Sequence, residues 1–183
     1  MGRYVALLRG INVGGKNLVA MPALKAFFEA QGFSDVATYI QSGNVLFTSA
    51  ERGAALTARI EAGLAAAFGR PACVVLRSRQ QLRRVVEGAP AGFGSRPAVR
   101  RYDVIFLKEP LSAPEALAQV PARPGVDRVF AGEGVLYFAR SIRDASRSRM
   151  SRLFSLPIYG SMTIRNWNTT TRLLELMEGR GGS

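Results

Sequence analysis

Histidine is absent from the 183 residues, and cysteine occurs once, at Cys73. The first absence removes serine or cysteine nucleophiles paired with a histidine base, imidazole proton shuttles and histidine-rich zinc sites. The second removes any internal disulfide and fits a reducing compartment. Within the apolar run ACVVL, Cys73 reads as a small buried hydrophobe rather than a nucleophile. Lysine is scarce too, 3 residues against 22 arginines, and acidic residues number 13 against 25 basic ones. Long hydrophobic runs are missing. The apolar stretch Tyr4 to Leu8 is broken by Arg9 and is too brief for a signal peptide, so a cytoplasmic protein with no membrane partner is expected. No metal and no other cofactor is expected from this residue set.

What is present is an ordinary globular composition, 48% hydrophobic, carrying a net charge of +12. The excess is spread evenly: residues 1–90 hold 11 basic and 5 acidic side chains, and residues 91–183 hold 14 and 8. Neither half is a basic tail on a neutral body. A chain this basic attracts nucleic acid, nucleotides or other phosphorylated molecules at low salt, so the expected partner is an anionic ligand.

Hydrophobic spacing gives a regular alternation of elements. Arg3 to Ile11 reads as a strand, and Pro22 to Gln31 places Leu24, Phe27 and Phe28 at helical spacing before a stop at Gly32. Val36 to Gln41 and Asn44 to Thr48 flank Ser42-Gly43, a two-residue hairpin signal. Leu56, Ile60, Leu64 and Phe68 mark a helix between Gly53 and Gly69, and Ala72 to Arg77 a closing strand. After a short helix with Leu82, Val85 and Val86 and a Pro, Gly and Ser stretch from Gly88 to Pro97, the order restarts. Tyr102 to Leu107 is a strand, Pro114 to Val120 a helix, Val126 to Ala131 and Val135 to Ala139 a hairpin, Met150, Leu153 and Phe154 a helix, and Ser161 to Arg165 a strand. Asn168 can cap a last helix bearing Leu173, Leu174 and Met177, with Gly179 as its stop.

The expected class is therefore α+β, a tandem repeat of two ferredoxin-like βαββαβ subdomains with antiparallel sheets, plus a C-terminal helix. The expected boundaries are 1–77, a helix-bearing linker at 78–101, 102–165, and a helix and tail at 166–183.

Between the first strand and the first helix lies LRGINVGGKN. Gly10, Gly15 and Lys16 fit the phosphate-cradling pattern G-x-x-x-x-G-K-[ST] up to Asn17, which stands where a hydroxyl would hold magnesium. Lys16 also fails to open a helix directly, as five residues separate it from Pro22. These departures argue against a nucleoside triphosphatase, but not against an anion cradle. In a ferredoxin-like sheet the ends of strands one and two and the start of strand three share one edge. That edge gathers Arg9, Asn12, Lys16, Gln41, Ser42 and Asn44, with Gly14 and Gly15 allowing close backbone approach. The competing reading is that the asparagines satisfy turn backbones while Arg9 and Lys16 are solvated. A second polar cluster, RNWNT, brings Arg165, Asn166 and Asn168 around Trp167 at a strand-to-helix corner, where free backbone donors favour an anion. Whether it joins the first edge is left open by the topology. Five arginines from Arg140 to Arg152 read as a solvated helix face.

The stretches YVALLRGINVGGKN at 4–17, TYIQSGNVLF at 38–47 and TIRNWNT at 163–169 resemble the domain of unknown function 1697 family, and the resemblance runs over essentially the whole chain. It implies a pair of ferredoxin-like subdomains and a bacterial cytoplasmic protein, and it brings no reaction or catalytic residue. Where the family shows serine, lysine and leucine, this chain has Ser151, Arg152 and Leu153.

Two functional classes are expected. The first is a binding module for nucleic acid or a phosphate-bearing small molecule. RNA-recognition sheets of this topology stack bases on several central aromatics, whereas the corresponding strands here offer only Tyr4 and Phe47. The second is an enzyme acting on a small anionic metabolite, with Arg9, Lys16 or Arg165 positioning it and Asp103 or Tyr39 as acid or base.

Overall fold

The computed structural model describes residues 1–9, 19–69 and 71–179. The architecture is α+β, with two four-stranded antiparallel sheets and their helices. The chain divides into two compact units. One comprises Met1–Leu82 with the C-terminal stretch from Leu173, and the other Arg83–Arg172.

The first unit runs β1 (Gly2–Arg9), α1 (Met21–Ala30), β2 (Ser34–Tyr39), β3 (Asn44–Ser49), α2 (Gly53–Phe68) and β4 (Cys73–Ser78), with strand order β2-β3-β1-β4. Proline in the first turn starts α1, and Leu24, Phe27 and Phe28 form its buried stripe. Helix α2 buries Leu56, Ile60 and Leu64 and ends at Gly69, whose left-handed backbone aims its N–H at the Ala65 carbonyl, 2.9 Å away. These stripes pack on the sheet face that carries Ala6, Leu8, Val45, Phe47 and Val74. Residues on the opposite face, Val5, Leu7, Leu46 and Val75, are buried as well. Burial on both faces is why β1 reads as a continuous apolar run rather than an alternating one.

After β4 comes α3 (Arg79–Glu87), and then β5 (Arg100–Leu107), α4 (Ala113–Gln119), β6 (Asp127–Gly132), β7 (Val135–Ser141), β8 (Met162–Asn166) and α5 (Trp167–Met177). The second sheet has the order β6-β7-β5-β8. Its core face carries Ile105, Leu107, Leu136, Phe138 and Met162 against Ala113 and Ala116 of α4 and Met150 and Leu153. A capping box of Ser112 and Glu115 starts α4.

Three sequence expectations are corrected here. The helix expected around Met150, Leu153 and Phe154 is instead a series of 3₁₀ helices, Ala145–Arg147, Met150–Ser155 and Pro157–Ser161. Pro157 disfavours a helical Leu156, while Ser148 accepts from Met150 N–H at 3.2 Å and Ser155 donates to the Arg152 carbonyl at 2.8 Å, so an α-helix has strong local competitors. The cap of α5 is Asn166 rather than Asn168: the Asn166 Oδ1 accepts from the Thr169 N–H at 2.7 Å, and Asn168 sits exposed in the first turn. The first hairpin has a four-residue loop, Ile40 to Gly43, closed by the Tyr39 and Asn44 pair. The two-residue loop occurs in the second hairpin, where Gly132 pairs with Val135 around Glu133-Gly134.

The stretch read as a spacer carries Phe93, whose ring packs edge-on against Tyr102, Tyr137 and Trp167 with centroids 4.9, 5.3 and 5.2 Å away. Gly94, at φ +85°, lets the indole of Trp167 lie against the backbone, since a Cβ there would fall 2.3 Å from Nε1. Tyr102 alternates with Asp103 and Ile105 and pairs with Ala139, so this aromatic group covers the sheet face opposite the core just described.

Candidate functional site

At the C-terminal end of β1, Leu7 pairs with Asn44 on one side and Val75 on the other, and Arg9 pairs with Cys73. The Leu8 N–H donates to the Gly43 carbonyl at 2.9 Å. Arg9, two residues from Leu7, therefore shares both a sheet face and a sheet end with Asn44. Gln41 and Ser42 occupy the loop at that same end, Gln41 exposed and Ser42 half-buried. Four of the expected site residues, Arg9, Gln41, Ser42 and Asn44, are thus brought to one edge of the first sheet. Asn12, Gly14, Gly15 and Lys16 lie outside the described residues.

Asn44 is fully buried, and its Nδ2 donates to the Tyr39 carbonyl at 3.0 Å and to the Ser42 Oγ at 2.9 Å. The side chain holds the loop closed, which is the turn-satisfying alternative for this residue. The loop it closes is strained. Ile40 has φ +48°, a left-handed conformation that a β-branched residue rarely adopts, and its side chain is 48% exposed. Gly43 follows at φ +74° without a steric penalty. No sequence signal exists for the Ile40 conformation, because local propensity argues against it.

Arg165, Asn166 and Asn168 lie in the second unit, at the junction of β8 and α5. Arg165 is 7% exposed, and its Nη1 donates to the Thr163 Oγ1 at 2.9 Å and the Ile164 carbonyl at 2.8 Å. Loss of hydration lowers its pKa to about 10, opposed by Tyr159, so it stays cationic at neutral pH. The first sheet has a counterpart: Arg77, half-buried at the same place in β4, donates through Nη1 to the Leu76 carbonyl at 2.7 Å. The next residue, Ser78, accepts from Gln81 N–H at 3.2 Å at the start of α3, much as Asn166 caps α5.

Base stacking on the sheets has little to work with. Phe47 is fully buried on the helix-facing side of the first sheet, stacked on Tyr4 at 5.8 Å. On the second sheet, Phe93 covers Tyr102 and Tyr137. Among the described residues, no group of three or more histidine, cysteine, aspartate or glutamate side chains could hold a metal ion, and no helix is long and apolar enough to cross a membrane.

A family model described as a protein of unknown function (DUF1697) matches residues 1–137. The chain belongs to this family. The matched residues of this DUF1697 protein include the edge around Arg9 and Asn44, while the junction at Arg165 to Asn168 lies beyond them. A solved structure, that of the conserved bacterial protein SP0830 from Streptococcus pneumoniae, is similar with a TM-score of 0.86 and 29% identity, over 97% of this chain and 99% of that one. None of the curated proteins matches.

Sequence reasoning passed over one cluster on the second sheet. Asp103, on the core face of β5, has its Oδ2 3.5 Å from the Arg140 Nη2 of β7, and Arg101 pairs with Arg140 in the register. Burial raises the Asp103 pKa, against the opposing pull of Arg140 and Arg101. The pattern RRYDVIFL held a readable clue. Arg101 and Asp103 have the same parity as Ile105 and Leu107, which places charge at core-facing positions.

Proposed function

We propose that this protein binds a phosphate-bearing small molecule, or another small anion, at the edge of the first sheet where β1 ends and the β2–β3 loop turns. The observation that carries the reading is the register pairing Leu7 with Asn44, which puts Arg9 at the same end and face as that loop. Arg9 supplies charge, Lys16 and the glycines of 10–18 are assigned the rest of the cradle, and Gln41 and Ser42 offer neutral hydrogen bonds. Asn44 acts indirectly, by holding the strained loop. The enclosed positions of Phe47, Tyr4, Tyr102 and Tyr137 favour a nucleotide or metabolite over base-specific RNA binding.

The same reading takes the fold as two diverged copies of a ferredoxin-like unit. Supporting this are the common strand order and the shared turn bond, Leu8 N–H to Gly43 and Leu107 N–H to Gly134, at 2.9 and 3.0 Å. The equivalence of Arg77-Ser78 and Arg165-Asn166 extends each copy into the capped helix that follows. The second copy has Val135 where the first has Asn44, so the polar edge belongs to one copy.

The test is a titration of labelled nucleotides, RNA and DNA at several salt concentrations against wild type and the Arg9→Ala/Lys16→Ala double variant. Nucleotide binding with a shallow salt dependence, lost in the double variant, is expected. Equal binding by both proteins at every salt removes the cradle and leaves a nonspecific basic field.

A further inference from the structure

On the core face of the second sheet, the end away from the α4 packing is polar from edge to edge and charged on three of its four strands. Asp127 of β6 pairs with Arg140 of β7, Arg140 with Arg101 of β5, and Asp103 with Asn166 of β8. All five side chains have the parity of the core residues Val129, Phe138, Ile105 and Ile164. Asp127 is 5% exposed; its Oδ2 accepts the N–H groups of Arg123 and Arg149, each at 2.9 Å, which fastens the 3₁₀ segment beside the row. The Asp144 carboxylate of that segment is engaged by Arg147 at 3.4 Å and Ser141.

The hydrogen bonding in this row is incomplete. Among the described residues, the Arg140 Nε, the Arg149 Nε, the Asp103 Oδ2 and the Asp127 Oδ1 are all buried without a hydrogen-bond partner. Buried donors and acceptors are nearly always paired, so such a concentration marks a row whose polar groups are not satisfied within the fold. The Arg140 contact with Asp103, at 3.5 Å, is an ion pair too long for a charge-assisted hydrogen bond. Arg101 is exposed and Arg140 is a third exposed, so the row opens to solvent on this side.

We infer that this row is a second ligand site, in which Arg140 and Arg101 clamp a small oxyanion and the O–H of a protonated Asp103 donates a hydrogen bond to it. An oxyanion fits because Arg101 is exposed and Arg140 a third exposed on neighbouring strands, and a guanidinium meets a phosphate, sulfate or carboxylate with two parallel bonds. A carboxylate would repel such a ligand, whereas a carboxylic acid hydrogen-bonds to it. Asp103 faces Arg140 on β7, Arg101 on its own strand and the neutral Asn166 on β8, with Asp127 beyond Arg140. Binding therefore draws a proton onto Asp103, and affinity falls as pH rises through its pKa, which burial has already moved upward. The site is independent of Arg9 and the edge of the first sheet.

Sulfate is the probe, since it remains a dianion throughout. Isothermal titration at constant ionic strength is expected to show a saturable sulfate site on wild type that persists in Arg9→Ala/Lys16→Ala and tightens at least about tenfold from about pH 8 to about pH 5. Arg101→Gln, at an exposed position, and Arg140→Gln each weaken it by about tenfold or more. Asp103→Asn keeps the site and flattens its pH dependence. Arg9→Ala/Lys16→Ala leaves it intact, which separates this outcome from failure of the proposed edge. Acetate binding with the same variant profile would assign the site to carboxylates, and its absence to tetrahedral anions, both within the inference. No saturable sulfate binding by Arg9→Ala/Lys16→Ala, or unchanged binding when Arg101→Gln is added to it in a folded protein, overturns it.

Discussion

Replacing Asn44 by alanine separates the loop-closing role from direct ligand contact. The substitution removes at least the hydrogen bonds to the Tyr39 carbonyl and the Ser42 Oγ, at a position with no solvent exposure. Each such bond contributes about 1 kcal/mol net, and the part-buried Tyr39 carbonyl left without this donor adds about 1 kcal/mol, the low end of the range for a buried group. Ser42 is half-buried and recovers part of its loss from water. The expected destabilisation is about 3 kcal/mol, and a chain of this size loses about 2–4 °C in Tm per kcal/mol, giving a fall of roughly 6–12 °C. Differential scanning calorimetry reads this directly. Ser42→Ala is the control: it removes only the second of these bonds and should lower Tm by about half as much or less. A fall below about 2 °C for Asn44→Ala, especially with nucleotide binding lost, would refute the reasoning and make Asn44 a ligand contact.

Two further outcomes are expected. Ile40→Gly releases a left-handed strain of about 1–3 kcal/mol and adds about 0.5–1 kcal/mol of unfolded-state entropy, so urea unfolding should show a net gain of about 1 kcal/mol; a loss would mean the Ile40 side chain supports the loop. Gly94→Ala forces a Cβ to 2.3 Å from the Trp167 Nε1 at φ +85°, and should cost about 2–4 kcal/mol with a red-shifted emission from the single tryptophan; unchanged fluorescence and stability would show that the Phe93 and Trp167 contact does not order this segment.

Periodicity and stop signals were legible wherever a single local cause set them. The stripes Leu24-Phe27-Phe28 and Leu56-Ile60-Leu64 and the stops at Gly32 and Gly69 appear where the sequence places them. Misreadings arose where two local solutions competed. Met150 and Leu153 are three apart, a spacing that suits a 3₁₀ turn as well as an α-helix. Asn166 and Asn168 are equally good caps, and only the pairing of Asn166 with Asp103 decides where the strand stops. The charged row on the second sheet required the alignment of four strands distant in sequence, so its parity was readable but its neighbours were not. Ile40 was illegible for another reason: its left-handed conformation goes against local preference, in a loop that Asn44 closes from a distance of several residues.

The stretch around Phe93 has a consequence for how this chain can vary. Loop segments rich in Gly, Pro and Ser ordinarily absorb insertions and deletions, because loop entropy changes slowly with length. Here one ring in that segment is seated among Tyr102, Tyr137 and Trp167, and the neighbouring Gly94 is held against the indole. One residue added between Phe93 and Gly94 would move either the ring or the glycine out of place. Length changes in this region are therefore confined to its outer ends, and relatives should differ there in sequence far more freely than in the spacing of Phe93 and Gly94.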